Sequence, residues 1–253
     1  MGYRWFVRNN LGGGDYQAAM DTQVAAGRVD DARWLLENFG STNTVLELDH
    51  LEADNFVFAG TLIVHGDVRV PGQLLVGRSL QAGAGIRAGR LEVGEDIQSG
   101  GAIFCDELLQ AGSTIKSAWS VEVLGHVRAD ELRTGWELRC SGNVSIKSGA
   151  HIGQEVDVQG ELRCGKGLRS GASIQVQGLL EVGHGLYSGE HIEGGNHVQA
   201  GWGIKALGDI RAACSIRAGE TLQADGEIAA GPGYGVFAGM NVQMDAWPDC
   251  AWV

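Results

Sequence analysis

Leu162-Arg-Cys-Gly-Lys-Gly-Leu168-Arg-Ser-Gly-Ala-Ser-Ile174-Gln-Val-Gln-Gly-Leu-Leu180 returns to a large aliphatic side chain at every sixth residue. The beat continues through Leu186, Ile192, Val198, Ile204, Ile210, Ile216, Leu222 and Ile228, twelve anchors without a break. A period of six suits neither an amphipathic helix, which repeats near about 3.6 residues, nor a hairpin sheet, whose turn signals vary in spacing. It suits a β-solenoid, in which short strands of successive coils stack.

The residues around each anchor describe one unit. Two positions on stand small or aliphatic residues such as Cys164, Ser170, Val176, Val182, Ala200 and Ala206. Residues i and i+2 of a strand share a face, so both point inward. The residue between them points outward and is polar: Arg163, Arg169, Gln175, Glu181, Lys205, Arg211. Three positions after the anchor, Gly occurs in eight of the twelve units, among them Gly165, Gly183, Gly201 and Gly219. A corner is expected there, with Gly supplying left-handed or otherwise strained dihedrals. Each hexad is thus one strand and one corner.

A looser version of the pattern reaches back to Leu62, with two five-residue steps, Ile86 to Leu91 and Val127 to Leu132. Between Val144 and Val156 the phase is ambiguous, since Ile146 and Ile152 compete with Val144 and Ala150, and a local bulge or loop is expected. Three strands per coil give about ten coils. Residues 1–44 are read as an N-terminal capping segment with short helices at 15–27 and 30–40. Residues 45–244 form the solenoid, and 245–253, with Trp247, Pro248 and Trp252, form an irregular C-terminal cap. The expected fold is an all-β, single-domain, three-sided β-solenoid with a short α-helical N-terminal cap.

Composition narrows the function. Gly supplies 41 of 253 residues and Pro only three, and the strict period excludes a disordered Gly-rich chain. The start, MGYRWFVRNN, shows no leader pattern and no segment is long and apolar enough for a membrane span, so a cytoplasmic protein without a membrane partner is expected. Cys105, Cys140 and Cys164 fall on inward positions and read as reduced core residues. The net charge of −12 argues against nucleic acid as a partner of the whole surface. Both ends are acidic: residues 1–60 hold nine Asp or Glu against four Lys or Arg, and residues 206–253 hold six against two. Such a chain suits a basic protein partner, a nuclease domain for example, although solubility alone would also account for the charge.

Two surface features stand out. Counting every third hexad stacks Lys116, Arg133, His151, Arg169, Tyr187 and Lys205 on one face, a mostly basic column on an acidic rod. It reads either as a binding stripe or as charge absorbed by solvent and by acids such as Glu131 and Glu155. Trp119, Trp136 and Trp202 each stand two residues before an anchor. Trp119 lies over Trp136 on one corner and Trp202 falls on another; stacked exposed indoles would anchor an interface, while buried ones would merely pack corners. The partner-binding candidates are therefore Lys116, Trp119, Arg133, Trp136, Arg169, Tyr187, Trp202 and Lys205. Catalytic signals are poor. His191 and His197 are six apart, but no third metal ligand accompanies them, and runs such as Gly83-Ala-Gly85 introduce no helix after a strand. No catalytic residue, cofactor or metal is expected, and the chain is read as no enzyme.

The units Ala-Gly-Trp202-Gly-Ile204-Lys205-Ala, Cys214-Ser-Ile216-Arg-Ala-Gly219 and Gly83-Ala-Gly-Ile86-Arg-Ala-Gly89 resemble repeats of bacterial β-solenoids. Among these are immunity proteins of polymorphic toxin systems, including contact-dependent growth inhibition. The resemblance implies a cytosolic, monomeric antitoxin that forms a heterodimer with a cognate protein toxin domain and neutralises it. The repeats are also similar to those of bactofilins, which implies a cytoskeletal polymer as the alternative. Bactofilins, however, join through bare ends, and this chain has candidate caps. A third similarity, to hexapeptide-repeat transferases, is weaker: where they place a small residue two before the aliphatic position, this chain has Lys166, His184, Glu190, Asn196, Trp202 and Glu220.

Overall fold

A computed structural model describes residues 3–7 and 44–239. These residues are all-β, with parallel strands stacked as a β-solenoid of about 11 turns and no helix. Most units are three-residue strands with both ends buried and the middle exposed, as in Leu162–Cys164, Leu168–Ser170 and Leu180–Val182. That pattern is the inward anchor, outward polar residue and inward small residue expected from the sequence. The interior is one continuous column of apolar, mostly aliphatic side chains from Leu46 to Ala218.

Twelve strands form one sheet, which begins with Tyr3–Val7, Thr44–Leu48 and Thr61–Val64 and ends with Ile204–Ala206 and Leu222–Ala224. Its first member is antiparallel, with Trp5 opposite Leu46, and all its other pairings are parallel. Elsewhere two further series of parallel pairings run the length of the rod. One carries Val121, Leu138, Val156, Ile174, Ile192 and Ile210; the other carries Val127, Val144, Leu162, Leu180, Val198 and Ile216.

Three expectations change. First, residues 144–156 hold no bulge. Val144–Ile146 and Ala150–Ile152 are regular strands, with Val127 opposite Val144 and Leu132 opposite Ala150. The phase looked ambiguous because the larger aliphatic stands at the second inward position instead of the first. The register slips elsewhere. Ile86–Val93 has one residue fewer between Ala88 and Arg90 than its neighbours have from Val70 to Gln73 and from Cys105 to Leu108, and the pairing shifts on both sides of it. The second short step is absorbed at a corner, where the N–H groups of Asp130 and Glu131 both reach the Ser113 carbonyl.

Second, the corner glycines are not left-handed. Among the described residues only Gly233 and Gly239 have positive φ. A Cβ on Gly183 would lie 2.0 Å from the Gly165 carbonyl oxygen, and one on Gly165 would lie 2.1 Å from that of Lys147. Glycine is needed because successive turns press their backbones together at the corner. The hydrogen bonds show the same approach: Gly165 N–H donates to Ile146 C=O at 2.8 Å.

Third, the segment read as the N-terminal cap contains a strand, Tyr3–Val7. It lies along Thr44–Leu48 and covers an edge that would otherwise present unpaired backbone groups. Its alternation Tyr-Arg-Trp-Phe-Val was the available signal. The expected helices at 15–27 and 30–40 and the expected cap at 245–253 lie outside the described residues.

Hydroxyls at inward positions close the backbone account. Ser99, Ser117 and Ser188 donate to the carbonyls of Ala84, Gly101 and Ala172 at 2.8, 2.8 and 2.6 Å, and Thr134 and Ser170 donate to those of Trp119 and Gln154. These carbonyls sit at corners of the preceding turn, where a buried acceptor without a partner would be costly.

Candidate functional site: an aromatic and cationic trough

The twelve-stranded sheet turns one residue per strand outward, and strand pairing fixes the order. Lys116 lies opposite Arg133, Arg133 opposite His151, His151 opposite Arg169, Arg169 opposite Tyr187, and Tyr187 opposite Lys205. The column expected from counting hexads is thus a continuous ladder, six rungs long at about 4.8 Å per rung. Gln98 precedes it and Gln223 follows.

The ladder is only partly neutralised. Arg133 is paired with Glu131 at 2.7 Å. Arg169 places its guanidinium carbon 4.8 Å from the Tyr187 ring centroid, a cation–π arrangement. Lys116 and Lys205 form no ion pair among the described residues. In the other two outward series some cations are fully compensated: Arg163 lies between Glu161 and Glu181, and Arg211 between Asp209 and Glu227.

The tryptophans border this sheet on both edges. Trp119 and Trp136 occupy equivalent corners of adjacent turns where the chain leaves it, and Trp136 N–H donates to Trp119 C=O at 3.1 Å. Trp202 stands at the opposite edge, just before Ile204–Ala206. Their exposures of 67%, 57% and 50% decide against buried corner packing. Trp202 is also held in place, its ring stacked on His184 with centroids 4.1 Å apart and planes 2° from parallel.

Trp202, Arg169, Tyr187 and Lys205 meet in an open trough of about 500 Å³ whose far end carries Glu220, Thr221 and Gln223. Gly167, Gly185 and Gly203 form its floor. The structure therefore joins four sequence candidates in one place. Lys116 and Arg133 lie further along the same ladder, and Trp119 and Trp136 flank those rungs from the other edge. His184 was missed as a site residue, because nothing in a hexad count shows that two corner rings will stack face to face.

The remaining candidates have structural duties. His191 Nδ1 accepts the Asp209 N–H at 2.9 Å, and His197 Nδ1 accepts the Ser215 N–H at 3.2 Å, so both rings bind backbone of the next turn. Cys105, Cys140 and Cys164 are buried and unbridged. Burial pushes the Cys105 thiol up to about 12 and that of Cys140 up to about 11, and it raises Cys164 as well, so none is a thiolate at neutral pH. Among the described residues no group of three His, Cys, Asp or Glu side chains could hold a metal ion, and no helix is long and apolar enough to cross a membrane.

No family model, no curated protein and no solved structure matches this chain.

Proposed function

We propose that this protein is a non-catalytic binding protein that presents the Lys116–Lys205 ladder and its bordering tryptophans to a partner protein. Within that class we read it as an immunity protein, which masks a toxin domain in the cytoplasm as one half of a heterodimer. The observation that carries the reading is the placement of three exposed indoles on the two edges of a ladder whose cations are largely without carboxylate partners. Indole and guanidinium groups are the commonest interface anchors, and a stacked ring such as Trp202 costs little further ordering when a partner lands on it. A stiff rod suits the task, because its surface is set before the partner arrives. We also infer that each turn is three-sided and built from three hexads; the eighteen-residue offset of pairs such as Leu168 and Leu186, with two other strands between them, supports that cross-section.

The product of the gene immediately upstream is the test partner. Sedimentation of the mixture should show one copy of each chain, and co-expression should restore growth to cells poisoned by that product. Trp119→Ser with Trp136→Ser should weaken the complex at least about tenfold, a loss of about 1.4 kcal/mol. An upstream product that is no toxin, or that sediments separately, removes the immunity reading. Long particles of this chain alone would instead support an end-to-end polymer.

A further inference from the structure

The trough has a direction, a spacing and a charge, and together they describe what would lie in it. It runs across the strands, along the axis of the rod. The strands beneath its middle are paired on both sides, as Leu186–Ser188 is with Leu168–Ser170 and Ile204–Ala206, while Leu222–Ala224 under its far end is the last strand of the sheet. A peptide laid along the trough crosses these strands instead of running beside one, so it is not added as a further strand. A segment that needs no backbone hydrogen bonds from its host is favoured, and the polyproline II conformation has that property.

The spacing agrees. Arg169 and Lys205 are two rungs apart, with Tyr187 between them, which is about 9.6 Å at the usual distance between strands. A polyproline II chain has about 3 residues per turn and rises about 3.1 Å per residue, so every third side chain points the same way about 9.3 Å further on. The side chains between them would meet the Tyr187 ring and the exposed face of Trp202, the type of aromatic wall against which such helices pack.

Two of the three floor glycines are not required by packing. A Cβ on Gly167 or Gly185 would come no closer than 3.7 or 4.0 Å to any atom, unlike the crowded corner glycines, while one on Gly203 would meet the Thr221 hydroxyl at 2.6 Å. Larger residues would fit at Gly167 and Gly185, and they would fill the trough. Charge then bears on the occupant: of the charged residues lining the trough, Arg169 and Lys205 are cations and Glu220, at the far end, is an acid. Lys205 has no carboxylate partner among the described residues, Arg169 has only the Tyr187 ring, and Lys166, next to the floor, is also unpaired. Arg87, Arg128 and Arg217 are likewise without a carboxylate partner among the described residues, Arg87 and Arg217 lying over the rings of Phe104 and Phe237.

We infer that the trough receives an extended acidic segment of the partner protein in the polyproline II conformation, with a carboxylate at every third position to meet Arg169 and Lys205. This rests on the reading of the face as a protein-docking surface. It also sets the local chemistry apart from the net charge of the chain, which by itself suggests a basic partner.

The test uses the full chain, labelled with ¹⁵N, and three probes: a blocked (Glu-Pro-Pro)₄ peptide, its (Lys-Pro-Pro)₄ counterpart and a twelve-nucleotide oligo-dT. The acidic peptide should shift amide resonances of residues 167–169, 185–187 and 203–205, and the basic peptide should not. Arg169→Glu with Lys205→Glu should weaken acidic-peptide binding at least about tenfold. Gly185→Val, which fills the floor without changing charge, should weaken it too, and it serves as the second variant if the double reversal disturbs folding. No shift with the acidic peptide, equal shifts with the basic one, or tighter binding of oligo-dT would each overturn the inference. If the upstream gene product still binds under any of those outcomes, the docking surface stands and only its acidic occupant is lost; if neither binds, both go.

Discussion

Arg163 and Lys205 hold the same place in their strands, the single outward residue between two buried ones, yet their surroundings are opposite. Arg163 sits in a ladder with Ser145 and Glu181 and has carboxylates at 2.9 and 3.6 Å. Lys205 sits in a ladder with Tyr187 and Gln223 and has none among the described residues. Both use the same backbone and the same interior, so the rod does not require its outward charges to be compensated. Where they are compensated, the surface is settled. Where they are not, as at Lys205, the cation is left to solvent, and a partner carboxylate could pair with it.

The contrast extends to the glycines, and this yields the largest expected effect. Gly183→Ala should destabilise the protein by about 2–4 kcal/mol, because its Cβ would meet the Gly165 carbonyl at 2.0 Å and backbone must move. Gly185→Ala, two residues on, should stay within about 0.5 kcal/mol of the parent. Urea unfolding of the two variants checks this, and equal losses would show that the trough floor is under the same packing constraint as the corners.

The interiors behind the two kinds of surface differ as well. Behind the cationic ladder the second inward position carries Ser99, Ser117, Thr134, Ser170 and Ser188, whereas Cys105, Cys140 and Cys164 stand behind the other two series. Burial raises the Cys105 thiol from about 9 to about 12, and it raises the other two as well. An unfolded chain therefore loses these protons first as the pH rises. The stability they contribute is fully present below about pH 9 and is lost progressively as the pH climbs towards about 12. Cys105→Ala with Cys140→Ala should flatten this alkaline decline in urea midpoints, while Ser170→Ala with Ser188→Ala should leave its slope unchanged.

The smallest effects concern surface charge, and their signs differ. Arg163→Gln removes two exposed ion pairs and should cost at most about 1 kcal/mol, less in high salt. Lys116→Glu puts a carboxylate opposite Arg133 in place of a like charge and should raise stability by about 0.2–1 kcal/mol. A loss at Lys116 would mean that this ladder is not repulsive.

The sequence alone makes the ladder legible, because a rung is a count along the chain and the twelve anchors keep the count. Trp119 over Trp136 follows from the same arithmetic. What the count misses depends on how turns approach one another. The crowding at Gly183 and the stacking of His184 on Trp202 both arise between residues about one turn apart, from backbone paths that a period does not specify, whereas the slip at Ile86–Val93 shows in the sequence as the five-residue step to Leu91. Val144–Ile146 shows the converse. There the count was sound, and only the order of a larger and a smaller inward residue made it look broken.

The most direct measurement is the affinity of the upstream gene product for two charge-reversed proteins, Arg169→Glu with Lys205→Glu and Arg163→Glu with Arg211→Glu, by calorimetry at physiological salt. Docking on the cationic trough predicts a loss of about a hundredfold for the first pair, near 2.8 kcal/mol, and less than about threefold for the second. Equal losses in both, or a loss confined to the second, would contradict it.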